Sequence, residues 1–381
     1  MAVGGGSGGH VTPVVAVLRQ LRENKPKAEI RFWCDIKFFD QAGALLSHFD
    51  SELRMDKIVS GKLRRYHHLT LIRQLMWPKL IMLNIRDSFL VGLGILQSLC
   101  KLIIWRPNVI FAKGGYVCLP VGIAAKILRI PLVIHDSDAF PGLTSRILSK
   151  WAESIATGAP LKYYDYPTSK SKYIGIPISS EFRKFSPEER VSAKKSRGIN
   201  EQRPLVVVTG GGLGAQRIND SVVEVLNDLI RLGSVVLVAG SAQYDELRAL
   251  TPKNSADFQL YPFVSDDMSS LLGGADLVIA RAGATTILEL AALNKPTILI
   301  PNAKLTGGHQ IKNADIYAQA DAVEIINEDD MVNNPAILVE SIARLINNPS
   351  RMSELSENIS KFACPNAAKD MADMIINAAR V

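Results

Sequence analysis

Eight short runs rich in Val, Ile and Leu alternate with amphipathic stretches along this chain, and that alternation restricts its fold more than any other feature. Ile30–Cys34, Val109–Phe111, Leu132–Ile134 and Ser154–Thr157 lie in the first half; Leu205–Val208, Val235–Val238, Leu277–Ile279 and Thr297–Ile300 lie in the second. A strand wet on one face alternates apolar and polar residues. An unbroken apolar run needs cover on both faces, as in a parallel sheet flanked by helices. The series also begins twice. Gly4-Gly5-Gly6-Ser7-Gly8-Gly9-His10 leads into one helical pattern, and Gly210-Gly211-Gly212-Leu213-Gly214 leads into another. A chain of 381 residues exceeds what one core normally holds. The reading is α/β, with two Rossmann-like βαβ domains, 1–173 and 178–363, facing across a cleft. A helix at about 366–381, after Pro365, is placed to pack back on the first domain.

Only Met1, Ala2 and Val3 precede the first glycine, whereas a strand usually takes about five or six residues. The expectation is a native start upstream of Met1. Apolar residues at 47% and charged residues at 21% fit a folded domain rather than a disordered one. The four cysteines (Cys34, Cys100, Cys118, Cys364) are scattered without metal spacing, as in a cytosolic protein with reduced thiols. No secretory signal is visible, because the glycine loop stands where one would be.

The net charge of +7 conceals a division. Residues 1–180 carry 24 Lys and Arg against 12 Asp and Glu, while residues 181–381 carry 20 against 25. A basic half implies an anionic partner: nucleic acid, a phosphorylated substrate or a membrane face. Phe89–Trp105 is the most apolar stretch, but Gly92, Gly94, Gln97, Ser98 and Lys101 interrupt it. It reads as a packed helix rather than a span of roughly 20 apolar residues. In the preceding 64–86, Arg64, Arg65, Arg73, Trp77, Lys79 and Arg86 interleave with aliphatic residues. That pattern suits an amphipathic surface lying on a bilayer, or a core-facing helix with a solvated basic face.

Six polar constellations follow strands or open helices. The first glycine run can lie close to a ligand and present free N–H groups to an anion. His10 at its end titrates near neutral pH and can serve as a base. The run also fits a dinucleotide fingerprint loosely, with Asp35 as the ribose acid, so an NAD reading stays open. Lys113-Gly114-Gly115-Tyr116 and His135-Asp136-Ser137-Asp138 each stand at a sheet edge. The second of these lacks the remote histidines a metal site would want. Gly210–Gly214 suits a diphosphate and has no P-loop lysine. Arg281-Ala282-Gly283-Ala284-Thr285-Thr286 leads to Glu289, which is placed for two ribose hydroxyls or for the helix dipole. Thr306-Gly307-Gly308-His309-Gln310 is another small-residue turn.

Taken together and in order, these motifs resemble the two-domain, GT-B type glycosyltransferases that use nucleotide sugars. More closely, Gly4 to about Ala322 resembles the bacterial family that adds N-acetylglucosamine to lipid I. The resemblance implies an inverting transfer from UDP-GlcNAc to lipid I, giving lipid II, at the cytoplasmic face of the membrane. The implied partners are UDP-GlcNAc, the undecaprenyl-pyrophosphate-linked acceptor and an anionic membrane surface, with no nucleic acid, cofactor or metal. Carried over by position, Gly211, Gly212, Gly214, Arg281, Gly283, Ala284, Glu289, His309 and Gln310 would face the donor. Ser7, Gly8, Gly9, Tyr116 and Asp138 would face the acceptor and its sugar, and His10 would be the base. The chain departs from the family pattern at Asp136-Ser137-Asp138, at Ser179 after Pro177, and at Gly212-Leu213. A related transferase with another sugar or acceptor, and a non-catalytic nucleotide-sugar-binding protein, are the alternatives.

Overall fold

The computed structural model describes residues 1–5, 8–47, 49–63, 77–139, 141–211, 214–264, 267–302 and 308–379; for 8–10 it describes the backbone alone. The chain divides into two compact units, Met1–Ser179 with Cys364–Val381, and Ser180–Ala363.

The first unit is built on seven parallel strands: β1 Ala2–Val3, β2 Arg31–Asp35, β3 Arg54–Ile58, β4 Ile110–Ala112, β5 Leu132–Asp136, β6 Ser154–Thr157 and β7 Ser171–Tyr173. Their order is β3-β2-β1-β4-β5-β6-β7. The two-residue β1 is central all the same. The Met1 amine donates to Val109 O at 3.0 Å, Phe111 N to Met1 O at 2.8 Å, Lys113 N to Val3 O at 3.0 Å and Gly4 N to Trp33 O at 3.2 Å. Pairing thus runs from Met1 to Gly4 on one side or the other. Successive side chains serve opposite faces: Ala2, Phe32 and Cys34 pack with the helix Gly8–Asn24, while Val3 and Trp33 pack with the helix Cys118–Ile127. The helix Ala367–Ala378 lies against Gly8–Asn24, so the end of the chain covers the first unit.

The second unit holds six parallel strands: β8 Leu205–Thr209, β9 Ser234–Val238, β10 Phe258–Tyr261, β11 Leu277–Ala280, β12 Thr297–Leu299 and β13 Glu324–Ile325. Their order is β10-β9-β8-β11-β12-β13. The polar helix at its start runs Pro187–Ser196, closed by a capping box between Ser186 and Glu189. Four strands, β3, β7, β10 and β13, were not marked by apolar runs. All four are sheet edges. An edge strand is shielded on one side only, so its sequence (Arg-Met-Asp-Lys-Ile in β3) can stay polar.

In both sheets the strand order reverses next to the first strand of the unit, at β1/β4 and at β8/β11. Connections leave in opposite directions there, and the crevice beyond the strands' carboxyl ends is where open α/β sheets take ligands. The two glycine loops stand at these two switch points.

The segments read separately as a bilayer surface at 64–86 and a packed helix at 89–105 are one helix from residue 78 onward, Pro78–Ile104; 64–76 lie outside the described residues. One face, with Leu80, Asp87, Val91, Gly94, Ser98 and Leu102, is buried. The packed-helix reading holds for that face only. Met82, Ile85, Phe89, Leu93 and Leu96 recur every three or four residues on the other face, with Ile103 two turns further on, and stay exposed, Phe89 by 68%.

The helix carries its own internal control. A Cβ on Gly94 would stand 2.0 Å from Val59 O and 3.0 Å from Pro120 Cβ, whereas one on Gly92 meets nothing within 4 Å. Gly94→Ala should cost about 1–3 kcal/mol by overpacking. Gly92→Ala should stabilise by about 0.5–1 kcal/mol through helix propensity. Denaturant unfolding of both variants checks this, and equal effects would contradict the packing described.

Candidate functional site

In the first unit the β1 and β4 connections meet backbone to backbone. Gly115 has φ of +85°, and a Cβ there would stand 2.5 Å from Gly5 O. A Cβ on Gly5 would stand 2.4 Å from Asp35 Oδ2. A side chain at Gly115 would push the two loops apart, and one at Gly5 would displace the Asp35 carboxylate. Gly8, Gly9 and His10 form the first turn of the helix Gly8–Asn24, while Gly6 and Ser7 lie outside the described residues.

Asp35, at the end of β2, supports this crevice from below. It is 2% exposed. Its Oδ1 accepts from Lys37 N at 3.1 Å, Phe38 N at 3.2 Å and Tyr116 Oη at 2.7 Å. Burial first, and the Asp35 carboxylate second, keep the Tyr116 hydroxyl protonated. An acid committed to two N–H groups and a tyrosine is a turn cap, which removes the ground for an NAD ribose contact there.

At the end of β5 the polar quartet is also drawn inward. The His135 ring pairs with Gly175 O at 2.8 Å. Asp136 accepts from Tyr166 Oη at 2.8 Å, and the main-chain oxygen of Asp138 accepts from Tyr164 Oη at 2.7 Å. Lys113, buried at the end of β4, bonds Ser137 Oγ. Burial pulls the Lys113 ammonium down to about 8 against the raising effect of Asp136 and Asp138. Burial, with the Asp138 charge adding to it, pushes the Asp136 carboxyl up to about 7.

In the second unit Gly211 and Gly214 have φ of +78° and +75°, and a Cβ on Gly214 would meet Ala239 O at 2.3 Å. Gly214 N donates to Gly211 O at 2.9 Å, closing the loop just before the helix Gln216–Glu224. Gly212 and Leu213 lie outside the described residues. After β11, Gly283 stands at the N-cap of the helix Ala284–Ala292 without a side-chain cap, which leaves its first N–H groups for other acceptors. Glu289 is in that helix, where burial pushes its carboxyl up to about 8. After β12, Gly308 (φ 61°) precedes the helix His309–Gln319, and Gln310 Oε1 accepts from Asn302 N at 2.9 Å. Asn313 Nδ2 donates to Ala282 O at 3.2 Å and ties that helix to the β11 connection. The donor-side residues expected from the sequence, apart from Gly212 outside the described residues, thus share one sheet edge.

Arg281 is turned into the protein. Its guanidinium pairs with the buried Glu328 and donates to Ile300 O at 3.1 Å. Glu328, Lys113 and Asp136 had no assigned place in the site. Lys113 and Asp136 stand in two of the polar motifs of the sequence, while the partners of Glu328, Arg217 and Arg281, are remote in sequence and nothing local marks it.

Comparison with known proteins reads the same organisation. Residues 1–157 match the glycosyltransferase family 28 N-terminal domain, and 205–372 match the family 28 C-terminal domain. A protein of Acetivibrio thermocellus named UDP-N-acetylglucosamine--N-acetylmuramyl-(pentapeptide) pyrophosphoryl-undecaprenol N-acetylglucosamine transferase is 32% identical over 98% of this chain and 96% of its own. The chain belongs to glycosyltransferase family 28. A Clostridium perfringens family member of the same name is 32% identical over 99% of this chain and 98% of its own. The crystal structure of Acinetobacter baumannii MurG superposes with a TM-score of 0.73 at 24% identity, covering 99% of both chains. A UDP-GlcNAc 2-epimerase from Neisseria meningitidis reaches 0.64 at 14% identity, also over 99% of both. At these identities the two structures speak for the fold alone: two Rossmann-like domains of the GT-B type.

The Asp136 environment of this family 28 enzyme makes a pH prediction. The folded state holds the Asp136 proton up to about 7, the unfolded chain only to about 3.8. The native state therefore loses stability as pH rises across that window. Asp136→Asn should remove the loss, so its thermal midpoint should gain on the wild type steadily from pH 4 to pH 7. A constant gap over that range would contradict the assignment.

Proposed function

We infer that this chain transfers N-acetylglucosamine from UDP-GlcNAc to lipid I, forming lipid II with inversion at the anomeric carbon. One observation carries the reading: a glycine loop stands at each switch point in a chain matched over 98% of its length by a transferase of that name. A single displacement needs one base and stabilisation of the departing nucleotide. His10 takes the proton of the acceptor hydroxyl as its oxygen attacks the anomeric carbon and UDP departs. Ser7, Gly8 and Gly9 hold the acceptor diphosphate, and Tyr116 and Asp138 hold the sugar. In the second unit, Gly211, Gly212 and Gly214 with the N–H groups at Gly283 and Ala284 take the charge on the leaving diphosphate. Glu289 binds the ribose hydroxyls, and His309 and Gln310 the diphosphate or donor sugar. Arg281 acts from behind this surface through Glu328.

The lipid-linked acceptor fits the exposed stripe on Pro78–Ile104. This helix is long and apolar enough to cross a membrane. Its other face buries Asp87 and Ser98 against the first unit, which favours lying in the interface over spanning. Lys79 and Arg86 on the same helix, and the excess of basic residues in the first half, suit an anionic surface on the cytoplasmic side.

One assay tests the whole reading: UDP release from UDP-GlcNAc with a lipid I analogue, either in anionic vesicles or as a water-soluble form. His10→Ala should lower turnover by about 10²–10⁴-fold with both acceptors while leaving UDP affinity unchanged. Phe89→Glu should lower turnover only with the vesicle-bound acceptor. No UDP release from the wild-type protein with either acceptor would overturn the proposal.

A further inference from the structure

Glu328 opens the helix Glu328–Asn333 after β13 and is 3% exposed. Its Oε1 takes the guanidinium of Arg281, itself buried, and its Oε2 takes Arg217 Nη1 at 3.0 Å. Arg217 is the second residue of the helix that follows the glycine loop Gly210–Gly214. Arg281 stands directly after β11, three residues before the helix that carries Glu289. Through its Nη1, Arg281 also holds Ile300 O, just past β12. One carboxylate therefore ties together the connections that follow β8, β11, β12 and β13.

The charge balance makes this tie stiff. Two guanidiniums share one buried carboxylate, and losing the acid would leave Arg281 buried without its counter-charge, a large penalty. Arg217 has a second partner in Asp329, at the protein surface. The loop on one side of the tie and the Glu289 helix on the other must keep their spacing closely for both ends of a nucleotide diphosphate to be held at once.

We propose that Glu328 is a positioning residue for the nucleotide-sugar site, fixing the glycine loop Gly210–Gly214 and the Glu289 helix at the separation a nucleoside diphosphate needs. This rests on the donor assignment made above. Glu328 acts entirely through Arg217 and Arg281.

The test compares Glu328→Gln, Arg217→Gln and the double variant with the wild type. The readouts are the Kd for UDP by calorimetry, the KM values for UDP-GlcNAc and for the acceptor, and the ligand-free thermal midpoint. In Glu328→Gln the UDP Kd and the UDP-GlcNAc KM should rise together by about ten- to a hundredfold, with the acceptor KM unchanged. Arg217→Gln should produce a smaller rise in the same two constants and add little to Glu328→Gln, since both act through one contact. A role confined to stability would lower the midpoint and the active fraction and move neither KM. Wild-type donor constants in a folded Glu328→Gln, or donor and acceptor KM rising alike, would overturn the proposal. If Glu328→Gln does not fold, the partly exposed Arg217 decides, and an unchanged donor KM in Arg217→Gln overturns it. A wild-type protein that binds no UDP would overturn the donor assignment itself, a result distinct from unaltered binding in the variants.

Discussion

All the chemistry of this chain depends on the parallel pairing of its central strands. Because every strand in each sheet runs the same way, all their carboxyl ends arrive at one edge. Where the order reverses, at β1/β4 and β8/β11, the neighbouring connections leave toward opposite sides of the sheet while their first residues stay close together. Glycine follows from that geometry: Gly5 and Gly115 approach until no Cβ fits, and Gly211 and Gly214 take positive φ. The anion binding proposed for both loops rests on bare N–H groups at helix starts, which any α/β switch point can offer. Similarity in fold to a UDP-GlcNAc 2-epimerase is expected on those terms. Family membership, and the residues grafted on each edge, separate the chemistries.

A buried carboxylate stands near each loop, and the two are held differently. Asp35 under the first loop is met by main-chain N–H groups and the Tyr116 hydroxyl. Glu328 beside the second is met by two arginines. The first arrangement orients an aromatic side chain next to the loop. The second locks several connections against one another. Lys113 among Asp136, Ser137 and Asp138 is a third buried polar group at a strand end, and its depressed ammonium and the raised Asp136 carboxyl are both consequences of exclusion from water.

The central strands were legible because burial on both faces demands unbroken apolar runs such as Leu205–Val208. The edge strands β3, β7 and β13 were not, because most of their residues stay partly or fully exposed, while in the mostly buried β10 Gln259 breaks a short apolar run. The glycine loops were legible because a positive φ or a backbone contact has few sequence solutions. Asp35 was visible only as a ribose acid, since its partner Tyr116 comes 81 residues later. Arg281 read as a ligand contact for the same reason: the carboxylate that claims it is 47 residues away, in the helix after the last strand. The helix Pro78–Ile104 was split in two by its composition, because its buried and exposed faces are both largely apolar and the period alone does not say which is covered.

We propose that the nucleotide belongs to the second switch point and that the first is kept for the acceptor. Hydrogen exchange of the full chain with and without UDP-GlcNAc tests it most directly. Saturating donor should slow exchange of the amides at 210–214, 281–284 and 308–310 and leave those at Gly4–His10 unchanged. Protection of Gly4–His10 by the donor, with none at 210–214, would contradict it.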